Sequence, residues 1–189
     1  MNYLWLILGW LAYFTTHSVL AGEKIKSGAQ KVMGTGFKYY RFIYSTISTV
    51  GLIVLLFYGA TIPANYFMER TEILRYISLM FSTFGVMTIR LAFKQFGFKS
   101  FIGVSGESQA FRRDGILNRV RHPIISGVIL ITVGYFLFLP NMPSLISSMC
   151  IFLYLPIGLR LEESKLIEAF GDEYRNYKKE VPAIFPRLF

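Results

Sequence analysis

The chain alternates long apolar blocks with short polar connections. Five predominantly apolar blocks can be distinguished, at residues 2–20, 41–62, 73–93, 123–139 and 144–160. A helix needs about 20 mainly apolar residues to cross the hydrocarbon core of a bilayer. The pattern therefore predicts an all-α integral membrane protein with five transmembrane helices.

The last two blocks are separated only by the tetrapeptide "PNMP". Because proline cannot continue a helix, Pro140 and Pro143 predict a tight helical hairpin. A mixed polar and apolar stretch after Arg160 predicts an amphipathic helix on the membrane surface. We interpret residues 1–189 as one membrane domain, with helices and loops in 1–113 and the hairpin and tail in 114–189.

Composition and charge distribution support this class. Hydrophobic residues make up 53% of the chain and charged residues 16%, against about 25% charged in a typical soluble domain. The net charge of +9 is no sign of nucleic-acid binding, because the Lys and Arg residues lie in the connections between apolar blocks. Eighteen of the 20 fall on one side of a five-span threading. The positive-inside rule then predicts that the N-terminus lies outside and the C-terminus in the cytoplasm. We expect the membrane to be the bacterial inner membrane.

The predicted cytoplasmic face carries both histidines, His17 and His122. In "RVRHPIISG", Pro123 suits the first turn of a helix, and His122 directly precedes it. The exposed backbone donors of a helix start favour an anion, and Arg121 adds positive charge. This segment is a candidate site for the carboxylate of a small ligand, whereas Arg119 is better explained as a contact to lipid phosphate.

A second candidate lies at the end of the fifth block, where Glu162 and Glu163 follow Arg160. Two adjacent acids at a membrane edge are costly unless they are solvated or paired. They are suited to a cationic ligand, but spacing alone favours the start of a solvated amphipathic helix. Tyr174 and Tyr177 share a helix face, which is more typical of packing than of ligand binding.

These motifs resemble those of the isoprenylcysteine carboxyl methyltransferase and phospholipid methyltransferase superfamily. The likeness covers residues 114–186 and rests on two motifs that flank the hairpin. The first is carried by Arg121, His122, Pro123 and Gly127, and the second by Leu159, Glu162 and Glu163. The segments "HSVLAGEKIK" and "YYRFIYSTIS" resemble a related branch, the NnrU-like membrane proteins.

The sequence departs from the superfamily pattern at two positions. Ile125 replaces the motif tyrosine, and Leu117 stands where relatives often carry a second tyrosine. Both changes remove a hydroxyl from the expected cofactor neighbourhood.

The resemblance implies methyl transfer from S-adenosylmethionine to a small lipophilic or membrane-embedded acceptor. Residues implied to bind the cofactor are Arg121, His122, Pro123, Gly127, Glu162 and Glu163. Arg160 and Glu163 are implied catalytic residues. For Arg160, attraction of an anionic acceptor and simple snorkelling to the surface are equal alternatives. His17, at the end of the first helix, is the candidate substrate residue.

The alternative function is that of a haem-binding isomerase or redox component. Two histidines on one face of a bundle can supply both axial ligands of haem b, and these would be His17 and His122. The glutamate pair has no part in such a site, so its presence favours the methyltransferase. A membrane scaffold without catalytic activity is a third possibility.

Overall fold

The fold is known from a computed structural model, which describes residues 1–96, 111 and 113–186. The α-helices of these residues are α1 (Asn2–Leu20), α2 (Glu23–Met33), α3 (Tyr40–Thr61), α4 (Glu72–Phe96), α5 (Pro123–Phe138) and α6 (Met142–Glu180). Short 3-10 helices at Gly34–Tyr39 and Gly115–Asn118 precede α3 and α5. The predicted all-α class is thus confirmed for the described residues.

Four helical segments of the described residues are long and apolar enough to cross a membrane. They are α1, the run Glu23–Thr61 that ends with α3, α4 and α6. The remaining predicted span, α5, is apolar but has only 16 residues, fewer than the roughly 20 that a perpendicular crossing requires. The count of five spans therefore stays a prediction, while the membrane class is confirmed.

The connection between α5 and α6 differs in detail from the predicted turn. Asn141 caps α6: its side chain accepts a hydrogen bond from the backbone of Ser144, and the Ser144 hydroxyl accepts one from the Asn141 backbone. This reciprocal cap starts α6 at Met142, so Pro143 lies in the first helical turn rather than in the loop. Proline is tolerated there because the first backbone N–H groups of a helix have no partner within it.

Helix α6 also continues beyond the predicted end of the fifth span. It passes through Pro156 and the charged residues after 160 without a break, and its backbone leaves helical geometry only at Gly171, where φ is 55°. Left-handed backbone of this kind is readily adopted by glycine. The predicted surface helix therefore begins as a polar extension of α6 and continues in a second helical segment beyond the break at Gly171.

Helices α4 and α5 approach each other closely because small residues face one another. A Cβ atom built on Gly85 would lie 2.7 Å from the carbonyl oxygen of Gly127, and one on Gly127 would lie 2.7 Å from that of Gly85. Two turns further on, a Cβ on Gly134 would lie 2.7 Å from the carbonyl oxygen of Ser78. Close backbone approach at small residues is the usual source of van der Waals contact between membrane helices.

Helices α1, α3 and α6 form the other part of the bundle. Leu6 and Trp10 are completely buried, and the Trp10 indole N–H donates to Ser147 Oγ at 3.1 Å. Near the opposite end, Lys165 Nζ donates to the carbonyl oxygen of Ala21 at 2.5 Å. This bond holds the polar extension of α6 against the end of α1 and so fixes the position of the residues discussed next.

Candidate functional site

The first motif lies at the start of α5. His122 is the N-cap residue, and Pro123 is the first residue of the helix and fully buried. The backbone N–H groups of Arg121 and His122 donate to the carbonyl oxygens of Pro182 and Ala183, each at 2.9 Å. Residues 181–184, which we call the C-terminal strap, thus run alongside the motif and fix its backbone.

The second motif meets the first through an ion pair. Arg121 Nη2 donates to Glu163 Oε1 at 2.6 Å, and both side chains are more than nine-tenths buried. Lys178 Nζ donates to the other oxygen, Oε2, at 2.5 Å. Arg121 Nη1 is held by the carbonyl oxygens of Lys178 and Val181 at 2.8 and 2.5 Å. Glu163 therefore lies between two cations from different segments.

His122 occupies the centre of this arrangement. Its Nδ1 lies 3.2 Å from Glu162 Oε2, and its Nε2 lies 3.4 Å from both Glu163 Oε1 and the Tyr174 hydroxyl. The imidazole is buried, whereas the Glu162 side chain is 56% exposed. We refer to the residues assembled here as the motif cluster: Arg121, His122, Glu162, Glu163, Tyr174 and Lys178.

The charges of the motif cluster alter the titration of Glu163. Burial acts to raise the pKa of this carboxyl, but the hydrogen bonds and charges of Lys178 and Arg121 outweigh it and hold the pKa below its ordinary value. The carboxylate is therefore ionised at neutral pH. A buried charge of this kind needs its partners, since an unpaired one costs several kcal/mol.

Two tyrosines that follow Gly171 in the sequence pack at the motif cluster. Tyr174 and Tyr177 are buried and pack with Val181, and the Tyr177 hydroxyl donates to the carbonyl oxygen of Leu117 at 2.6 Å. Burial raises the pKa of Tyr177 to about 12, so the phenol stays neutral. The expected packing role of this pair is confirmed, but Tyr174 also contacts His122. That contact, and the participation of Lys178, were missed by the sequence interpretation.

The remaining motif residues lie outside the cluster. Gly127 is buried against Gly85 in the α4–α5 contact, and Arg160 is exposed. The Arg160 carbonyl oxygen accepts a hydrogen bond from Ser164 Oγ. Arg119 is also exposed. The structure thus brings Arg121, His122, Glu162 and Glu163 together, and it does not bring Gly127 or Arg160 to them.

His17 belongs to a different environment. Its Nδ1 lies 3.0 Å from the hydroxyl of Ser48, and its ring is surrounded by the rings of Tyr13, Tyr44 and Tyr154 at centroid distances of 6.0, 5.9 and 6.4 Å. Among the described residues, no group bridges His17 directly to His122. The two histidines thus have separate hydrogen-bond partners, Ser48 for His17 and the two glutamates and Tyr174 for His122.

The motif cluster has the donor set that an amino-acid moiety requires. Buried Arg121 Nε has no hydrogen-bond partner among the described residues, and Glu162 presents a half-exposed carboxylate nearby. A guanidinium suits a carboxylate, and a carboxylate suits an ammonium group. The residues present therefore fit a small zwitterionic ligand such as the methionyl end of S-adenosylmethionine.

Comparison with known proteins identifies relatives along most of the chain. The family model described as "NnrU protein" matches residues 5–185. The chain is 27% identical to Methanethiol S-methyltransferase 2 of Bradyrhizobium diazoefficiens, over 92% of this chain and 69% of that protein. It is 26% identical to Methanethiol S-methyltransferase of Pseudomonas deceptionensis, over 91% of this chain and 68% of the relative.

A shorter match is to a protein of the isoprenylcysteine methyltransferase type, which the two motifs also suggested. The chain is 35% identical to Protein-S-isoprenylcysteine O-methyltransferase of Schizosaccharomyces pombe, over 40% of this chain and 32% of that protein. No solved structure matches the chain. The resemblance to both the NnrU-like branch and the isoprenylcysteine methyltransferase superfamily is thus confirmed.

Proposed function

The chain belongs to the NnrU protein family, and we propose that it is an integral membrane enzyme that transfers a methyl group from S-adenosylmethionine to a small lipophilic or membrane-embedded acceptor. Relatives named as methyltransferases match it over about nine-tenths of its length. The observation that carries the proposal is the motif cluster, in which two motifs 40 residues apart in sequence meet at His122 and Glu162.

The motif cluster would hold the cofactor by its amino-acid end. Arg121 would bind the carboxylate through its unpaired Nε, and Glu162 would bind the ammonium group. Glu163 and Lys178 keep the Arg121 guanidinium in place, and His122 keeps the two glutamates at a fixed separation. Pro123 fixes the start of α5 and with it the position of His122.

The cofactor, when bound, supplies a methyl group on a positively charged sulfur. The task of the protein in such a reaction is alignment, because holding two reactants in attack geometry removes much of the barrier. Arg160 is retained as the candidate for attracting an anionic acceptor, with His17 as the candidate acceptor contact. An inner-membrane location with the C-terminus in the cytoplasm, inferred from the positive charges, would place the cluster within reach of a cytoplasmic cofactor.

The haem alternative has no comparable support. Both ring nitrogens of His122 lie against carboxylates, and Nδ1 of His17 lies against Ser48. A buried salt bridge beside His122 would also have to open before an iron could approach it.

The test is direct binding of S-adenosylmethionine to the purified chain, followed by transfer of a labelled methyl group. Titration calorimetry in detergent should detect binding to the wild type. Glu162→Gln should weaken binding by roughly tenfold or more, in keeping with about 1.5–3 kcal/mol for a hydrogen bond to a charged group. Glu168→Gln, an exposed acid on the same helix, is the matched control and should bind normally. Absence of binding by the wild type would refute the proposal.

A further inference from the structure

Helices α1 and α3 flank a cavity that is open on the outer side of the bundle and lies apart from the motif cluster. Its volume is about 280 Å³, and its walls include Gly9, Ala12 and Gly51. These positions carry little or no side chain, so they leave space where the two helices pass each other. Ligand pockets usually measure about 300–1,000 Å³, which makes this a pocket for a small molecule.

One end of the cavity is polar, and the rest is apolar. His17 and Ser48 lie at the polar end, hydrogen-bonded to each other, while Val54 and Leu55 line the walls further along α3. No Lys, Arg, Asp or Glu is among the lining residues. The lining therefore suits a mainly apolar ligand with one small polar group.

His17 has hydrogen-bonding capacity to spare. Its Nδ1 is occupied by Ser48, whereas Nε2 has no hydrogen-bond partner among the described residues. A neutral imidazole that donates through Nδ1 accepts through Nε2. The ring is fixed by the surrounding tyrosines, so Nε2 is a preorganised acceptor for an S–H or O–H group.

The polar end of the cavity also lies towards the motif cluster. The Tyr44 ring is 5.9 Å from that of His17, and Tyr44 is close enough to Glu162 for the two to interact electrostatically. Glu162 in turn contacts His122 at 3.2 Å. One tyrosine and one glutamate thus separate the polar end of the cavity from the place proposed for the cofactor.

We propose that the α1–α3 cavity is the binding site for the methyl acceptor, and that this acceptor is a small neutral thiol whose S–H group donates to His17 Nε2. This inference rests on the proposed methyltransferase function and specifies its substrate class. The relatives that match over about nine-tenths of the chain are named as methanethiol methyltransferases. The volume of about 280 Å³ and the mainly apolar lining favour such an acceptor over the larger phospholipid or prenylcysteine, and a neutral thiol does not need the attraction of Arg160 considered above for an anionic acceptor.

The experiment measures binding of 1-butanethiol to the purified full chain in phosphatidylcholine nanodiscs, by the ligand-dependent rise in unfolding temperature. Pentane serves as a second probe of similar shape that lacks the thiol. Ala12→Leu places a larger side chain in the cavity, and Ala60→Leu makes the same change at an exposed position of α3 outside it. His17→Ala removes the proposed acceptor of the S–H proton.

We expect Ala12→Leu to weaken binding of both probes at least tenfold and Ala60→Leu to leave both unchanged. His17→Ala should weaken the binding of 1-butanethiol about threefold to tenfold, as expected for the loss of one hydrogen bond. It should leave the binding of pentane unchanged. Equal thiol binding by the wild type and Ala12→Leu would show that the thiol binds outside the cavity and would overturn the proposal. If His17→Ala weakened the binding of 1-butanethiol and of pentane equally, His17 Nε2 would not be the acceptor of the S–H hydrogen bond.

Affinity for S-adenosylmethionine, measured on the same samples, separates this inference from the proposed function. We expect Ala12→Leu to bind the cofactor as the wild type does. A wild type that binds the cofactor but shows no cavity-dependent thiol binding would refute the acceptor site alone. A wild type that binds the thiol in the cavity but not the cofactor would refute the methyltransferase function and leave a small-thiol binding site.

Discussion

The two adjacent glutamates of the second motif should differ sharply in their contribution to stability. Glu163 is 9% exposed and ion-paired with buried Arg121, whereas Glu162 is 56% exposed. Removing one partner of a buried ion pair typically costs about 3–5 kcal/mol, while exposed ion pairs contribute about 0–1 kcal/mol. Because glutamine keeps the shape and one acceptor oxygen, we expect Glu163→Gln to cost about 3 kcal/mol and Glu162→Gln less than about 1 kcal/mol.

The measurement is urea unfolding in a mild detergent, followed by the helical circular-dichroism signal. Urea is preferred to guanidinium because it does not screen charges. A double-mutant cycle with Arg121→Met separates the ion pair from other effects of each substitution. If the pair is buried as described, the double variant is more stable than the sum of the two single losses predicts. Equal, small losses in the two glutamine variants would contradict the buried pair.

The same pair predicts the direction of the pH dependence. The pKa of Glu163 is lowered in the folded state by Lys178 and Arg121, so the unfolded chain binds the proton more readily. Its contribution to stability is present above the unfolded pKa of about 4.3 and is lost as pH falls through the lowered folded value. The stability difference between the wild type and Glu163→Gln should therefore shrink on acidification below about pH 4. A difference that stays constant there would show that Glu163 is not the titrating group.

The remaining predictions concern topology, cofactor and packing. A reporter inserted beside Asn65 should be periplasmic and one fused to the C-terminus cytoplasmic; the opposite pattern would contradict the charge-based threading. His122→Ala should weaken S-adenosylmethionine binding by about tenfold in calorimetry on folded protein, and unchanged affinity would remove His122 from the cofactor site. Gly127→Ala should destabilise the fold by about 1–3 kcal/mol through overpacking, since its Cβ would meet Gly85. Gly28→Ala, within α2 and with nothing inside 4 Å, should instead raise the free energy of unfolding by about 0.5–1 kcal/mol, because alanine favours a helix over glycine.

The transmembrane helices could be predicted well because bilayer burial leaves a strong signal in the sequence. The apolar blocks correspond closely to α1, α3 and α4, whose observed bounds are Asn2–Leu20, Tyr40–Thr61 and Glu72–Phe96. The end of α6 could not be predicted in the same way. The charged residues after 160 end the apolar pattern but do not oppose helix formation, so the helix continues to Gly171 and, beyond that break, to Glu180.

The motif cluster could be predicted only in part. The convergence of Arg121 and His122 with the two glutamates followed from their motifs, because both motifs flank a hairpin and return to the same membrane face. The participation of Lys178 depends on the reversal at Gly171 and on the C-terminal strap. These are tertiary features, and no local spacing in the sequence encodes them.

Gly127 shows how one motif residue can be explained by packing. Its place in the superfamily motif suggested a cofactor contact, whereas in the structure it allows the backbones of α4 and α5 to meet at Gly85. A side chain at this position would push α5 away from α4. Since His122 caps α5, such a shift would also displace the imidazole from Glu162.

The C-terminal strap has a consequence for the order of events during biosynthesis. The carbonyl groups that fix Arg121 and His122 come from residues 182 and 183, which the ribosome adds after helices α1 to α6 are made. The helices can insert while the motif cluster is still incomplete, with Arg121 and Glu163 open to water. The cluster closes only when the strap has emerged, so a chain interrupted before residue 182 would reach the membrane without an assembled site.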